Sequence, residues 1–361
     1  MTNVDNAGDN QGGHRVAIVA GGSGIVGRAI VDHLATRGNW TIVALSRRQQ
    51  RHDARVRHVS VDLADKADCS AKVQDLRNAT QVFYAAYAPD RDLGREAALN
   101  ARMLVNLVET LEPIAPRLQH IQLMQGSKWY GNHLGPYRTP AREDDPRHDR
   151  SCFYYDQQDW LSARQPGRNW VWSALRPHGV CGLAIGSSMN QLTALTLYAT
   201  ISKELGRPLS WPGSEAAFNS IYQFTEAAYL AGGMEWAATT NAAANQAFNF
   251  TNGDLVRWCH LWPAIARAFG IEAGPIKPHS LAATMADMEP LWATIRERHG
   301  LEPYTLADLT NWSFADFVFG CGYDQISDLT KLRNTGWSGV NPSEEMYLRL
   351  IGDLRKARII P

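Results

Sequence analysis

A short glycine loop near the start, Gly21-Gly22-Ser23-Gly24-Ile25-Val26-Gly27, limits what this chain can fold into more than any other segment does. Before it, Val16-Ala17-Ile18-Val19-Ala20 is a brief apolar run of the kind a buried parallel strand shows. After it, Val26, Ala29, Ile30 and Leu34 recur at helical spacing. A strand, a glycine loop and a helix in that order make the phosphate cradle of a dinucleotide fold. Gly21 permits the tight turn, Gly24 lets backbone approach a pyrophosphate, and Gly27 allows the helix to pack on the strand. Ser23, Ile25 and Val26 complete the cradle, and the free N–H groups of the helix N-terminus face the phosphates. An isolated loop of this kind also reads as an ordinary strand–helix turn. Here strand, helix and position agree, which favours cofactor binding.

The second strand, 40–45, runs into Ser46-Arg47-Arg48. A site for the unphosphorylated dinucleotide would end this strand in an acid that holds the ribose 2′-hydroxyl. Two guanidiniums suit a 2′-phosphate instead, which predicts NADPH as cofactor. A third strand, 56–61, leads into Asp62-Leu63, placed to flank the adenine. A fourth, 81–86, brings Tyr84 and Ala85 toward the nicotinamide ribose.

Strands and helices alternate through the first half, which predicts an α/β fold of the Rossmann type with a doubly wound parallel sheet. A helix over about 96–111 and a strand over 118–125 precede Gly126-Ser127-Lys128, and a sixth strand, 170–175, precedes Arg176-Pro177. Ligands in such sheets lie beyond the carboxyl ends of the strands, where Lys128 falls. Later come helices near 190–205, 255–269 and 285–299, with a strand at 247–250. The expected organisation is a flexible tail over 1–13, an NADPH-binding domain over 14–182, and a largely helical substrate lobe over 183–361. The chain should return to the first domain near 218–240.

With 361 residues, 45% hydrophobic, there is material for a large core. Lys and Arg number 36 against 36 Asp and Glu, and no basic stripe appears, which argues against nucleic acid and anionic membrane as partners. Five scattered cysteines without a C-x-x-C indicate neither a disulfide framework nor a zinc site, and the histidines show no metal spacing. No apolar run is long enough to span a bilayer, and the polar first residues are no signal peptide, so a cytoplasmic protein is expected.

The chain contains no Tyr-x-x-x-Lys. Lys128 stands alone, and a Phe153-Tyr154-Tyr155 triplet follows well downstream. With the loop at 21–27 and Ser46-Arg47-Arg48, these residues resemble the progesterone 5β-reductase/iridoid synthase-like enzymes, an atypical branch of the extended short-chain dehydrogenases. Further matches are Gln125-Gly126-Ser127-Lys128-Trp129-Tyr130, Glu143-Asp144-Asp145-Pro146-Arg147, Arg176-Pro177, Ser187-Ser188-Met189-Asn190 and Thr251-Asn252-Gly253-Asp254. The resemblance implies NADPH-dependent reduction of the C=C bond of a steroid-like or small enone, with Tyr154 and Lys128 as catalytic residues. It adds Tyr87, Gln125, Lys128, Tyr154, Pro177, Val180, Ser187 and Met189 to the cofactor site, and Tyr87, Tyr137, Tyr154, Met189 and Phe314 to the substrate pocket. It also implies that the Lys128 ammonium orients the tyrosine and the nicotinamide ribose. The expected partners are a small enone and a second copy in a homodimer.

The chain departs from the family pattern in places. Ser127 replaces a usual arginine, His178-Gly179 replaces a usual Gly-Asn, Tyr87 stands where tryptophan is common, and Tyr137 where phenylalanine is. Three extra residues enlarge the loop 131–136. Two other readings remain open here: a carbonyl reductase or epimerase of the same superfamily, which the missing Tyr-x-x-x-Lys opposes, and a non-catalytic NADPH sensor, which the retained lysine and tyrosine oppose.

Overall fold

Ala17, Ile18, Val19 and Ala20 are each wholly buried, because their strand has a parallel neighbour on both sides. The structure is a computed structural model and describes residues 14–47, 54–187 and 189–361. Its main sheet has seven parallel strands: β1 (Arg15–Ala20), β2 (Trp40–Ser46), β3 (Val56–Ser60), β4 (Gln81–Tyr84), β5 (His120–Met124), β6 (Val171–Arg176) and a last one, Gln246–Asn249. Across the sheet the order is β3-β2-β1-β4-β5-β6 and then the last strand. This is the doubly wound order, and it reverses between β1 and β4, where such sheets hold their ligands.

Helices cover both faces. On one, α1 (Ile25–Ala35) presents Ile30, Val31 and Leu34 and packs with helix Ala227–Thr239. On the other lie α2 (Lys66–Lys72), α3 (Leu93–Leu111) and α4 (Phe153–Arg164), which bury Cys69, Leu104, Leu107, Val108 and Leu161. Asp65 and Asp92 cap α2 and α3 by accepting first-turn N–H groups, as short acids do at helix starts. The second lobe gathers α5 (Gln191–Glu204) around Trp211, Trp258, Trp262 and Trp292, a core of its own. Among the described residues no helix is long and apolar enough to cross a membrane.

The alternation expected from sequence is present, with shifts at its edges. The helix expected from 96 begins at Leu93, and that expected over 285–299 is two, Leu281–Thr284 and Glu289–His299, the second started by Pro290. The return to the first lobe is longer than expected. Helix Ala227–Thr239 belongs to it, and so does strand Gln246–Asn249, which pairs with β6 in the register Ala247↔Ala174. A run of four residues carries no mark of which sheet it will join; the neighbouring strand decides that.

Candidate active site

The cradle has the shape the sequence calls for. Gly24 caps α1 without a side-chain bond, so the first-turn N–H groups face outward. Gly21 has φ +80°, and a Cβ there would lie 2.7 Å from the Ala85 carbonyl carbon. A Cβ on Gly27 would overlap the Gly21 carbonyl oxygen. Gly21 and Gly22 both donate their N–H groups to the Leu45 carbonyl, at 2.9 and 3.1 Å, which pins the loop to the end of β2. The cradle is therefore filled by backbone alone, and it fits a pyrophosphate.

Lys128 lies in a short 3-10 turn, Ser127–Tyr130, just past β5. Its Nζ donates to Tyr87 Oη at 3.3 Å and stands 3.6 Å from Glu96 Oε2. Tyr87 in turn donates its phenol proton to Glu96 Oε1 in a very short bond. The Tyr87 ring stacks on Phe153, with centroids 5.3 Å apart, and Phe153 packs on Tyr154 at 4.2 Å. No hydrogen bond joins Lys128 to Tyr154. The lysine was expected to orient that tyrosine, but the buried carboxylate of Glu96 draws the ammonium toward Tyr87 instead.

Three tyrosines flank this region, and their protons differ. Tyr87 gives its proton to Glu96. Tyr155 gives its own to the Trp129 carbonyl at 2.5 Å, and accepts the His148 N–H at 3.2 Å. Tyr154, at the second position of α4, has no hydrogen-bond partner for its hydroxyl among the described residues. That oxygen lies 3.3 Å from where a Gly126 Cβ would stand, a point that the Pro177 carbonyl oxygen bounds at 3.5 Å. Burial, and then the neighbouring Cys152 and Glu96, push the Tyr154 phenol well above its ordinary pKa, so the proton stays on. Only Tyr154 of the three can donate to a ligand.

A buried scaffold holds these parts. Arg176, 2% exposed, donates to Gln125 Oε1 at 2.9 Å, Tyr130 Oη at 3.1 Å and the Glu143 carbonyl at 3.2 Å, with its guanidinium 3.6 Å above the Trp129 ring. Gln125 Nε2 then donates to the Tyr154 carbonyl at 3.4 Å. His148 accepts the Arg150 N–H at Nδ1, so its Nε2 carries the proton given to the Lys128 carbonyl at 3.1 Å. Ser127 Oγ and His178 Nδ1 are 2.7 Å apart, and burial lowers His178 to about 4, leaving it neutral.

The remaining expected residues divide. Ser46 and Arg47 end β2 as expected, Arg47 exposed; Arg48 lies outside the described residues. Asp62 is exposed and ties its own turn through Ala64 N–H, while Leu63 is buried under Cys69 and Asn106. Ala85 backs onto Gly21, but the Tyr84 side chain is 1% exposed within the core, so the strand end could offer a ligand only its backbone there. Tyr137 stacks on Tyr130 and packs with Tyr154 against one cluster, Trp129, Tyr130, Ala141, Cys152 and Tyr155. Val180 pairs with Thr225, and Ser187 lies in the loop before α5. Met189 is 40% exposed and Phe314 packs on the second lobe's core; no hydrogen bond or ring contact links either to Tyr154. Of the five residues expected in the substrate pocket, Tyr87, Tyr137 and Tyr154 thus lie around one aromatic cluster, and Met189 and Phe314 make no such contact with Tyr154.

Glu96, which meets both Lys128 and Tyr87, is not among the residues expected from sequence. It had a signal. Glu96 shares a helical face with Asn100, Met103, Leu104 and Leu107, all buried, and an acid on that stripe is out of place unless it is paired.

Comparison with known proteins follows the same lines. Residues 52–361 match the family described as the PRISE-like Rossmann-fold domain. An (S)-8-oxocitronellyl enol synthase of Nepeta racemosa is 32% identical, covering 96% of this chain and 93% of that protein. A 3-oxo-Delta(4,5)-steroid 5-beta-reductase of Arabidopsis thaliana is 30% identical, over 96% of this chain and 93% of its own length. Among solved structures, UDP-glucose 4-epimerase from Thermotoga maritima has a TM-score of 0.68 at 15% identity, covering 94% of this chain and 99% of that one. The Thermus thermophilus UDP-glucose 4-epimerase complex with NAD has a TM-score of 0.65 at 16% identity, over 95% and 99%. At those identities the two structures share the fold.

Proposed function

The chain belongs to the PRISE-like Rossmann-fold family, and on that premise we propose that it is an NADPH-dependent enone 1,4-reductase, acting on the C=C bond of α,β-unsaturated ketones or aldehydes. The observation that carries the reading is the unengaged phenol proton of Tyr154, whereas those of Tyr87 and Tyr155 are both engaged. When bound, the cofactor supplies the hydride. The backbone of the loop 21–27 would hold its pyrophosphate, Arg47 with Arg48 its 2′-phosphate, and Lys128 its nicotinamide ribose. The absence of an acid at the end of β2 supports NADPH over NADH.

As hydride reaches the β-carbon of an enone, negative charge moves to the carbonyl oxygen. Tyr154 stands ready to donate to that oxygen, and a donor placed in advance contributes roughly 3–4 kcal/mol of transition-state stabilisation. Because burial keeps the phenol protonated, it donates a hydrogen bond without first having to recover a proton. Tyr154 begins α4 while Lys128 follows β5, so donor and lysine come from separate elements. That separation suits an oxygen set two carbons away from the carbon that accepts hydride.

The test is regiochemical. With 2-cyclohexen-1-one and 4-deuterated NADPH, the product should be the saturated ketone with deuterium at the β-carbon, read by NMR. Saturated ketones of similar size should be poor substrates. Deuterium on a carbinol carbon would overturn the assignment and make the protein a carbonyl reductase.

A further inference from the structure

Glu96 takes no part in the chemistry described so far, yet both polar contacts of the Lys128 ammonium run to it or to its partner. Its side chain is 7% exposed, in the first turn of α3, and a carboxylate buried to that degree must be matched by charge or donors. It is matched twice, by the Tyr87 phenol and by the ammonium 3.6 Å away. The direction of each bond is settled by chemistry. An ammonium only donates and a carboxylate only accepts, so Tyr87 Oη accepts from Lys128 and donates its own O–H to Glu96. The Lys128 side chain remains 28% exposed, which leaves further N–H directions open to a ligand.

We propose that Glu96, acting through Tyr87, is the positioning residue for Lys128 in this enzyme. The inference rests on the reading of Lys128 as the site lysine. The carboxylate sets where the ammonium stands, and the phenol oxygen between them fixes its direction. Tyrosine is required at 87 for this, because an indole N–H can donate to Glu96 but has no lone pair to accept from Lys128. Tyr87 accordingly serves as a relay of position and not as an acid.

The experiment is a double-mutant cycle on the full chain. Glu96→Gln keeps the volume and an acceptor for Tyr87 but discards the charge; Lys128→Met discards the ammonium. NADPH dissociation constants come from fluorescence titration, kcat and KM from reduction of 2-cyclohexen-1-one, and thermal midpoints report folding. Glu96→Gln should weaken NADPH binding or lower kcat by about tenfold in the wild-type background, the loss expected for a charge-assisted contact. In the Lys128→Met background it should change either quantity less than about twofold. Equal losses in both backgrounds would make Glu96 merely structural and overturn the proposal. No effect of Lys128→Met on its own would remove the lysine reading itself, and the proposal with it. If Glu96→Gln does not fold, Tyr87→Trp carries the same cycle with the carboxylate left in place: loss beside Lys128 and none beside Met supports the relay, and equal losses overturn it.

Discussion

Ser127 Oγ lies 2.7 Å from His178 Nδ1, and this buried bond ties the end of β5 to the end of β6. The same two ends are joined a second time, by Ser127 N–H donating to the Pro177 carbonyl at 3.2 Å. Ser127 and His178 are both places where the chain departs from the family pattern, and the departures meet. Neither partner carries charge, which suits a pair sealed between strands, while His178 Nε2 is buried without a partner among the described residues. The pair thus braces the backbone on either side of the Tyr154 hydroxyl, with Lys128 next in sequence to one member.

The buried histidines make stability fall in acid. Burial lowers His178 to about 4 and His120 to about 3. An unfolded histidine titrates near ~6.5, so between that value and the folded ones the unfolded chain binds more protons, and stability drops as pH falls through the window. A depression of this size costs on the order of 3 kcal/mol per histidine once pH is below it. Urea midpoints taken from about pH 7 to about pH 4.5 should decline, and His178→Gln should decline less steeply. An unchanged slope in the variant would show that His178 titrates normally.

Tyr154→Phe and Tyr155→Phe should fail differently. The first removes the free donor and should cut kcat by roughly 100-fold or more, with NADPH affinity nearly intact. The second leaves the Trp129 carbonyl and His148 N–H without their partner and should cost about 1–2 kcal/mol of stability, with a smaller effect on turnover. Steady-state kinetics and denaturant melts on the two variants separate the outcomes; the reverse pattern would move the donor to Tyr155.

Replacing Arg47 and Arg48 together should erode the preference for NADPH over NADH by about tenfold or more, since each charge-assisted contact contributes roughly 1.5–3 kcal/mol. Dissociation constants for both cofactors measure it directly. Equal affinities in the unaltered protein would show that this turn does not read the 2′-phosphate.

Gly27→Ala should be more damaging than a helix-interior alanine usually is. Its Cβ would overlap the Gly21 carbonyl, and that backbone cannot retreat because Gly21 and Gly22 are both bonded to Leu45. Overpacking of this kind costs typically about 1–3 kcal/mol. A lowered thermal midpoint with weakened NADPH binding is expected, whereas a variant that binds as the original does would show that the loop is pliant.

Much of the fold was legible along the chain. β1, the loop 21–27 and α1 are contiguous, and apolar periodicity with glycine punctuation suffices to place them. Helix edges were less legible, since caps such as Asp92 look like any surface acid until the helix is seen. The direction of the Tyr84 side chain was not legible, because successive side chains of a strand point to opposite faces of the sheet and its ring lies on the face that the core covers.

The sequence by itself determined the cradle, the sheet type and the family, and through the family resemblance it singled out Lys128 and Tyr154, because those rest on residue types in fixed order. Tertiary structure alone decided that Tyr155 spends its phenol proton while Tyr154 does not, that Glu96 meets Lys128 through Tyr87, that Ser127 meets His178, and that Gln246–Asn249 completes the sheet. The reason is that hydrogen-bond partnership depends on which side chains are brought within about 3 Å after folding, and residues distant in sequence carry no local record of that meeting.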